Sequence, residues 1–217
     1  MPNDPFIDQL VRDLKPVQRR RAGMDAGIVV GLCIVELLLY LAMGAARPDI
    51  VAALQLPSFW WRLVSCGALA LLAALTAIAS FNPVASPHRG LRQLGALGAL
   101  AIAAGWCVDA MHGSSLGGNS ALGARLNWPE GLQCLYHMVV LSLPPILALG
   151  LLMRRGAPTE PAGTALAIGI AAAAWGAFVY VFACPDDDAL YIAVWYTVGM
   201  GLITLLARGL LPLLTRW

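Results

Sequence analysis

The amino-acid sequence predicts an all-α membrane protein: a six-transmembrane-helix bundle with a short cytoplasmic N-terminal amphipathic helix. Two observations carry the prediction. Of the 217 residues, 59% are hydrophobic and 12% charged, against about 25% charged in ordinary soluble domains. The charges lie almost wholly between six apolar blocks, each about as long as the roughly 20 residues a helix needs to cross a bilayer core. The same pattern leaves no basic stripe suited to phosphates, so no direct contact with nucleic acid is expected.

Residues 1–23 are the polar segment. Asp4-Pro5 reads as an N-cap followed by proline at the first helical position. Phe6, Ile7, Leu10, Val11 and Leu14 then recur at helical spacing, with Asp8, Gln9, Arg12 and Asp13 opposite, until Pro16 stops the pattern. So short a helix is marginal alone in water, because nucleation is costly. It needs a partner surface, either lipid headgroups, helped by Arg19, Arg20 and Arg21, or the groove of a soluble protein.

Residues 24–217 form the transmembrane domain, with spans expected at 24–44, 59–81, 93–111, 132–153, 162–183 and 189–210. The first block follows about two dozen polar residues and is longer than a signal-peptide core, so it is expected to stay attached. With the N-terminus cytoplasmic, that side receives eleven basic residues: Arg12, Lys15, Arg19, Arg20, Arg21, Arg89, Arg92, Arg154, Arg155, Arg208 and Arg216. The other side receives three, Arg47, Arg62 and Arg125. The positive-inside rule therefore places both termini in the cytoplasm.

Within the connections, Arg47-Pro48-Asp49 reads as a proline-fixed turn whose charges pair or clamp spans one and two. Residues 112–131 read as a mobile extracytoplasmic loop that returns through Trp128-Pro129 to an aromatic interface anchor. Ala- and Gly-rich stretches such as 95–99 and 171–174 predict close helix packing. Pro144-Pro145 predicts a bend in span four.

Five cysteines are present. Cys33, Cys66 and Cys107 read as packing residues inside spans. Cys134 and Cys184 differ. They stand at the extracytoplasmic ends of consecutive antiparallel helices, at nearly equal height counted from the turn 154–161 at about 1.5 Å per residue. Three readings stay open for them: a redox- or metal-sensitive switch, a static disulfide, or unpaired packing residues. No cofactor is required, but Cys134, His137, Cys184 and Asp186 offer a donor set that would suit zinc or another thiophilic ion.

Glu36 and Asp109 are intramembrane acids. Glu36 is expected to bond a neighbouring helix, and Asp109 to sit near the interface beside His112. No catalytic triad, phosphate-binding glycine loop or carboxylate pair can be assembled on one side of the membrane, so an enzyme is not expected. A small transporter built on Glu36 and Asp109, or a membrane thiol-disulfide oxidoreductase at Cys134 and Cys184, are the alternative functions.

Taken in order, Leu10-Val11-Arg12-Asp13-Leu14-Lys15-Pro16-Val17, Arg47-Pro48-Asp49, Cys134, Ser142-Leu143-Pro144-Pro145, Arg154-Arg155-Gly156-Ala157-Pro158, Cys184-Pro185-Asp186-Asp187, Trp195-Tyr196 and the final Trp217 resemble the NrsF-type family of six-span bacterial membrane anti-sigma factors. The resemblance implies an inner-membrane protein whose cytoplasmic segment holds an extracytoplasmic-function sigma factor, and a part for Cys134 and Cys184 in stress sensing. On that reading Phe6, Leu10, Val11 and Leu14 fill a groove of the sigma factor, while Arg12, Lys15, Arg19, Arg20 and Arg21 meet acidic surface.

Overall fold

The computed structural model describes residues 21–111 and 125–214. Among these it places seven helices and no strand: α1 (Ala22–Ala42), α2 (Ile50–Ala53), α3 (Pro57–Ser80), α4 (His88–Met111), α5 (Trp128–Arg155), α6 (Pro161–Tyr180) and α7 (Ala189–Leu214). All but the one-turn α2 are long and apolar enough to cross a membrane. They fall on the six predicted spans, with ends shifted by a few residues. Prolines account for part of the shift: α3, α5 and α6 each carry one in the first turn, where the missing N–H has no helical acceptor to lose. The expected N-terminal helix, most of the 112–131 loop and His112 lie outside the described residues.

The bundle is built around α6. Its most apolar stretch is 67% buried, against 17% for α1 and 11% for α4, and it packs chiefly on α3, α5 and α7. The composition of α6 explains its position. It is apolar all the way round, the pattern of a helix enclosed by others, and its side chains are mostly small. A Cβ at Gly176 would stand 2.7 Å from the Met138 carbonyl oxygen, and one at Gly169 2.8 Å from the Thr204 Cα. Only glycine lets α6 lie this close to α5 and α7, and such backbone proximity supplies the van der Waals contact that lipid cannot.

α5 runs unbroken from Trp128 to Arg155 through Pro144 and Pro145. The turn before the prolines is the one α6 backs at Gly176, and there the Ser142 hydroxyl donates to the Val139 carbonyl at 2.8 Å. Glu36 on α1 bonds a neighbouring helix as expected: the Trp175 indole donates to its carboxylate at 2.9 Å. Trp61 Nε1 likewise donates to the Ala101 carbonyl at 2.8 Å, tying α3 to α4.

The two ends of the bundle treat arginine differently. At the end formed by the α4 N-terminus and the α5 and α7 C-termini, Arg89, Arg92, Arg154, Arg155 and Arg208 are exposed, and so is Arg21 just before α1. At the opposite end, Arg47 and Arg62 have side chains 3% and 0% exposed, and Arg125 11%.

Candidate functional site

That opposite end is organised by the loop between α6 and α7. Past Tyr180 the chain keeps turning, so that Ala183 and Cys184 donate their N–H groups to the Tyr180 carbonyl at 3.0 and 2.9 Å. Pro185 then ends the turn, having no N–H to continue it. The three acids that follow divide the work. Asp186 Oδ1 accepts the Asp188 N–H at 2.9 Å. Asp188 Oδ1 accepts the N–H groups of Leu190 and Tyr191 at 2.8 and 3.3 Å, capping the start of α7 where anions are favoured. Asp187 is left to face the arginines.

Arg47 uses all five of its N–H donors. It grips Asp49 through Nε and Nη2 at 2.7 Å each, Asp187 through Nη1 and Nη2 at 2.8 Å each, and the Cys184 carbonyl through Nη1 at 3.1 Å. Its backbone N–H adds a bond to the Phe182 carbonyl at 2.9 Å. Arg62, on the first turns of α3, donates to Asp187 at 2.8 Å and to the Asp186 carbonyl at 2.9 Å. Arg125 holds Asp188 in a two-pronged pair at 2.7 Å and reaches Asp109 on α4 with the same Nη2. Paired guanidinium–carboxylate forks of this kind are stronger and more directional than neutral hydrogen bonds. Every arginine at this end is thus committed to the loop that carries Cys184.

The surrounding charges set the ionisation of this loop. Burial holds the Cys184 thiol above its usual range, although Arg62 partly offsets it. Burial also raises Asp186. At Asp188 burial acts the same way, but the bonds from Arg125, Tyr191 and Leu190 outweigh it and the carboxylate lies below its usual value. The two bonds from Arg47 lower Asp49.

Beneath the charges lies sulfur. Cys134 on α5 and Cys184 are 0% and 1% exposed and share one core with Cys66, Met138, Tyr180 and Tyr196. All five cysteines are free thiols. The Cys134 Sγ lies 3.9 Å from the Met138 sulfur, and the Cys184 Sγ 3.7 Å from the Asp186 carbonyl oxygen.

The expected pair is therefore brought into one core, while the wider donor set is arranged differently. The His137 Nδ1–H is taken up by the Gln133 carbonyl at 2.8 Å, and its ring stacks on Tyr180 at 5.3 Å. The Asp186 carboxylate serves the loop backbone. Among the described residues no group of three or more His, Cys, Asp or Glu side chains is placed to hold a metal ion. Cys66 and Cys107, read together as packing residues, separate: Cys66 is buried beside the pair, whereas Cys107 is exposed. Asp109 sits near the end of its helix as expected, but the partner described for it is Arg125.

The expected pairing of Arg47 with Asp49 is present, and what reasoning from sequence missed is that Arg47, Arg62 and Arg125 converge on the Asp186–Asp188 loop. A signal was available, since these three are the basic residues that the charge count sets apart from the other eleven. Fold and site together define a six-span helical membrane protein with buried thiols beneath an interlocked set of charges. The chain belongs to the NrsF family, described as "Negative regulator of sigma F", which matches residues 10–217. It is 31% identical over 222 residues to the "Anti-sigma-F factor NrsF" of Caulobacter vibrioides, covering 100% of both chains. It is 32% identical over 207 residues to the "Probable anti-sigma-F factor NrsF" of Azospira oryzae, covering 92% of each. No solved structure matches it.

Proposed function

We propose that this chain is an inner-membrane anti-sigma factor that holds an extracytoplasmic-function sigma factor through residues 1–23 and releases it when Cys134 and Cys184 are modified. The family match over residues 10–217 carries the regulatory part of this reading. The exposed arginines at one end of the bundle support a cytoplasmic location for that end and for both termini. In this reading Phe6, Leu10, Val11 and Leu14 supply the apolar contacts to the sigma factor, and Arg89, Arg92, Arg154 and Arg155, exposed at that end of the bundle, add basic surface for it.

Sensing is the part the cysteine core supports. In this reading a two-electron oxidant such as a peroxide takes two electrons and two protons from the thiols of Cys134 and Cys184. Their S–H bonds are replaced by one S–S bond, and the peroxide O–O bond breaks to give water and an alcohol or a second water. A soft heavy-metal ion bridging the same sulfurs with loss of both protons is the equivalent signal. The thiolates of Cys134 and Cys184 are the donors this reading assigns to such an ion. Joining the two sulfurs pulls Cys184 toward α5 and strains its carbonyl bond to Arg47. The shift passes along α5 and α6 to the cytoplasmic end. A 100-fold loss of sigma affinity requires about 2.7 kcal/mol of difference between the two states, within reach of one new covalent bond.

Deleting residues 1–21 is expected to abolish co-purification of the sigma factor while leaving the bundle folded. Replacing both Cys134 and Cys184 with serine is expected to leave sigma binding intact and to block its release under oxidant or heavy-metal challenge. Normal release from the double variant would overturn the sensing mechanism. Normal sigma binding after the deletion would overturn the assignment of the segment.

A further inference from the structure

The two thiols of the core are not equivalent. Cys134 is a helical residue of α5, and the contact described for its sulfur is the neutral Met138 thioether at 3.9 Å. Cys184 lies in the loop after α6, beside the exposed Pro185, and its sulfur is 3.7 Å from the Asp186 carbonyl oxygen. The Arg62 guanidinium donates to that same oxygen at 2.9 Å, so a fixed positive charge and the Cys184 thiol meet on one atom. The Tyr196 hydroxyl on α7 is buried, reaches the Cys184 sulfur and, among the described residues, has no nitrogen or oxygen partner. The sulfur of a neutral thiol is a weak acceptor, so this phenol stays under-satisfied until that sulfur carries charge. Of the other groups facing Cys184, Arg47 holds its carbonyl and Asp186 is an acid. Tyr40, Tyr180 and Tyr191 also stand near it.

We infer that the two cysteines act in a fixed order: Cys184 reacts first with the oxidant, its anion held by Tyr196 and Arg62, and Cys134 resolves the product. This rests on the sensing reading above and divides its chemistry between the two residues. The oxidant is a hydroperoxide. Cys184 gives up its proton and its sulfur attacks one peroxide oxygen. An S–O bond forms, the O–O bond breaks, and the departing oxygen takes up a proton and leaves as water or an alcohol. Sulfur has supplied two electrons, and Cys184 is now a sulfenic acid. The Cys134 sulfur then attacks the Cys184 sulfur, the S–O bond breaks, and the hydroxyl leaves with the Cys134 proton as water. The thiolate is the form that attacks. Burial works against it at Cys184, while Arg62 and the Tyr196 hydroxyl work for it, so these two groups set how much of the nucleophile is present.

The full chain in phosphatidylcholine nanodiscs would be treated with hydrogen peroxide in the presence of dimedone, which traps sulfenic acids, and the labelled cysteine located by peptide mass spectrometry. Cys66→Ala is included throughout, so that the third thiol of this core cannot resolve the product. With Cys134→Ser, labelling is expected at Cys184. With Cys184→Ser, labelling of Cys134 is expected to be at least tenfold slower. Equal or faster labelling of Cys134, or no label on either residue, would overturn the order. The part played by Tyr196 is read from the rate of Cys184 alkylation by iodoacetamide against pH. Tyr196→Phe should move the midpoint up by about one pH unit, as loss of a hydrogen bond to the charged form does, with the alkaline plateau unchanged. A role in packing alone would alter the plateau or the melting temperature and leave the midpoint in place, and an unmoved midpoint would overturn the assignment of Tyr196. Sigma release is not read in either experiment, so a reversed order would leave the sensing and anti-sigma readings standing, whereas normal release from the double serine variant would count against the sensing reading alone.

Discussion

Asp187 is the residue on which the loop depends most. It is shared by Arg47 and Arg62, whose side chains are 3% and 0% exposed, and the cost of removing it is the cost of leaving two guanidiniums with fewer partners. Breaking a buried ion pair from one side typically costs about 3–5 kcal/mol, and the 28% exposure of Asp187 moves the expectation toward the lower bound. Asp187→Asn is therefore expected to destabilise the bundle by about 3 kcal/mol, read as a lowered melting temperature. It should also loosen Arg47, which holds the Cys184 carbonyl, and so speed alkylation of that thiol. The ionisation of Cys184 gives a second test. Because burial raises the folded thiol above the unfolded value of about 8.5, its contribution is complete below that pH and is lost as the pH rises through the folded value. Asp188 has the opposite sign, being lowered in the fold. Its contribution is present above the unfolded value of about 3.9 and is lost as the pH falls through the folded one. A melting-temperature profile should accordingly decline at both extremes. Cys184→Ser should flatten the alkaline limb alone, and Asp188→Asn the acid limb.

At the scale of the helix, α6 is held by proximity more than by side-chain bulk. Gly176→Leu would drive a side chain into the Met138–Ser142 turn of α5, where the neighbouring atoms are backbone and cannot rotate away. Overpacking of this kind usually costs about 1–3 kcal/mol, and the loss should appear in the melting temperature and in faster proteolysis of the loops. Gly27 on α1 is the contrasting case, since a Cβ there would meet nothing within 4 Å. Gly27→Ala should be neutral or stabilising by up to about 1 kcal/mol, the ordinary helical preference for alanine over glycine. The same contrast explains what was readable at this scale. The six spans follow from the length and apolarity of their blocks, and the Ala- and Gly-rich stretches announce close packing. Which helix becomes central depends on which of these stretches meet, and α4, with its own Gly95, Gly98 and Gly105, ends at the periphery.

At the scale of the molecule, arginine is sorted by end: exposed at the α4 N-terminal end and consumed in ion pairs at the other. This arrangement predicts orientation directly. A periplasm-dependent phosphatase fused after residue 217 should be inactive, and the same reporter inserted within 112–124 should be active. Inverted activities would exchange the two ends and place the thiol core on the cytoplasmic side. The arrangement also sets the problem of signalling, because the cysteine core and the exposed arginines occupy opposite ends and only packed helices join them. α5 carries Cys134 near one end and Arg154-Arg155 at the other, and its glycine-mediated contact with α6 lies between the two. It is the element through which a change at the thiols would be passed on.

The sequence by itself determined the number of spans, the charge asymmetry of the two sides, and the candidacy of Cys134 and Cys184. Each of these depends on local quantities: the length of an apolar run, a count of basic residues, a height along a helix. It also showed Arg47 and Asp49 close enough to pair. Only the tertiary structure decided that Arg47, Arg62 and Arg125 converge on the Asp186–Asp188 loop, that Cys66 joins the thiol core while Cys107 does not, and that His137 is engaged elsewhere. Those outcomes depend on the rotation of each helix about its own axis and on its choice of neighbours. Such choices are made by small-residue packing against α6 and by the need of buried charges for partners, and no window of adjacent residues records them.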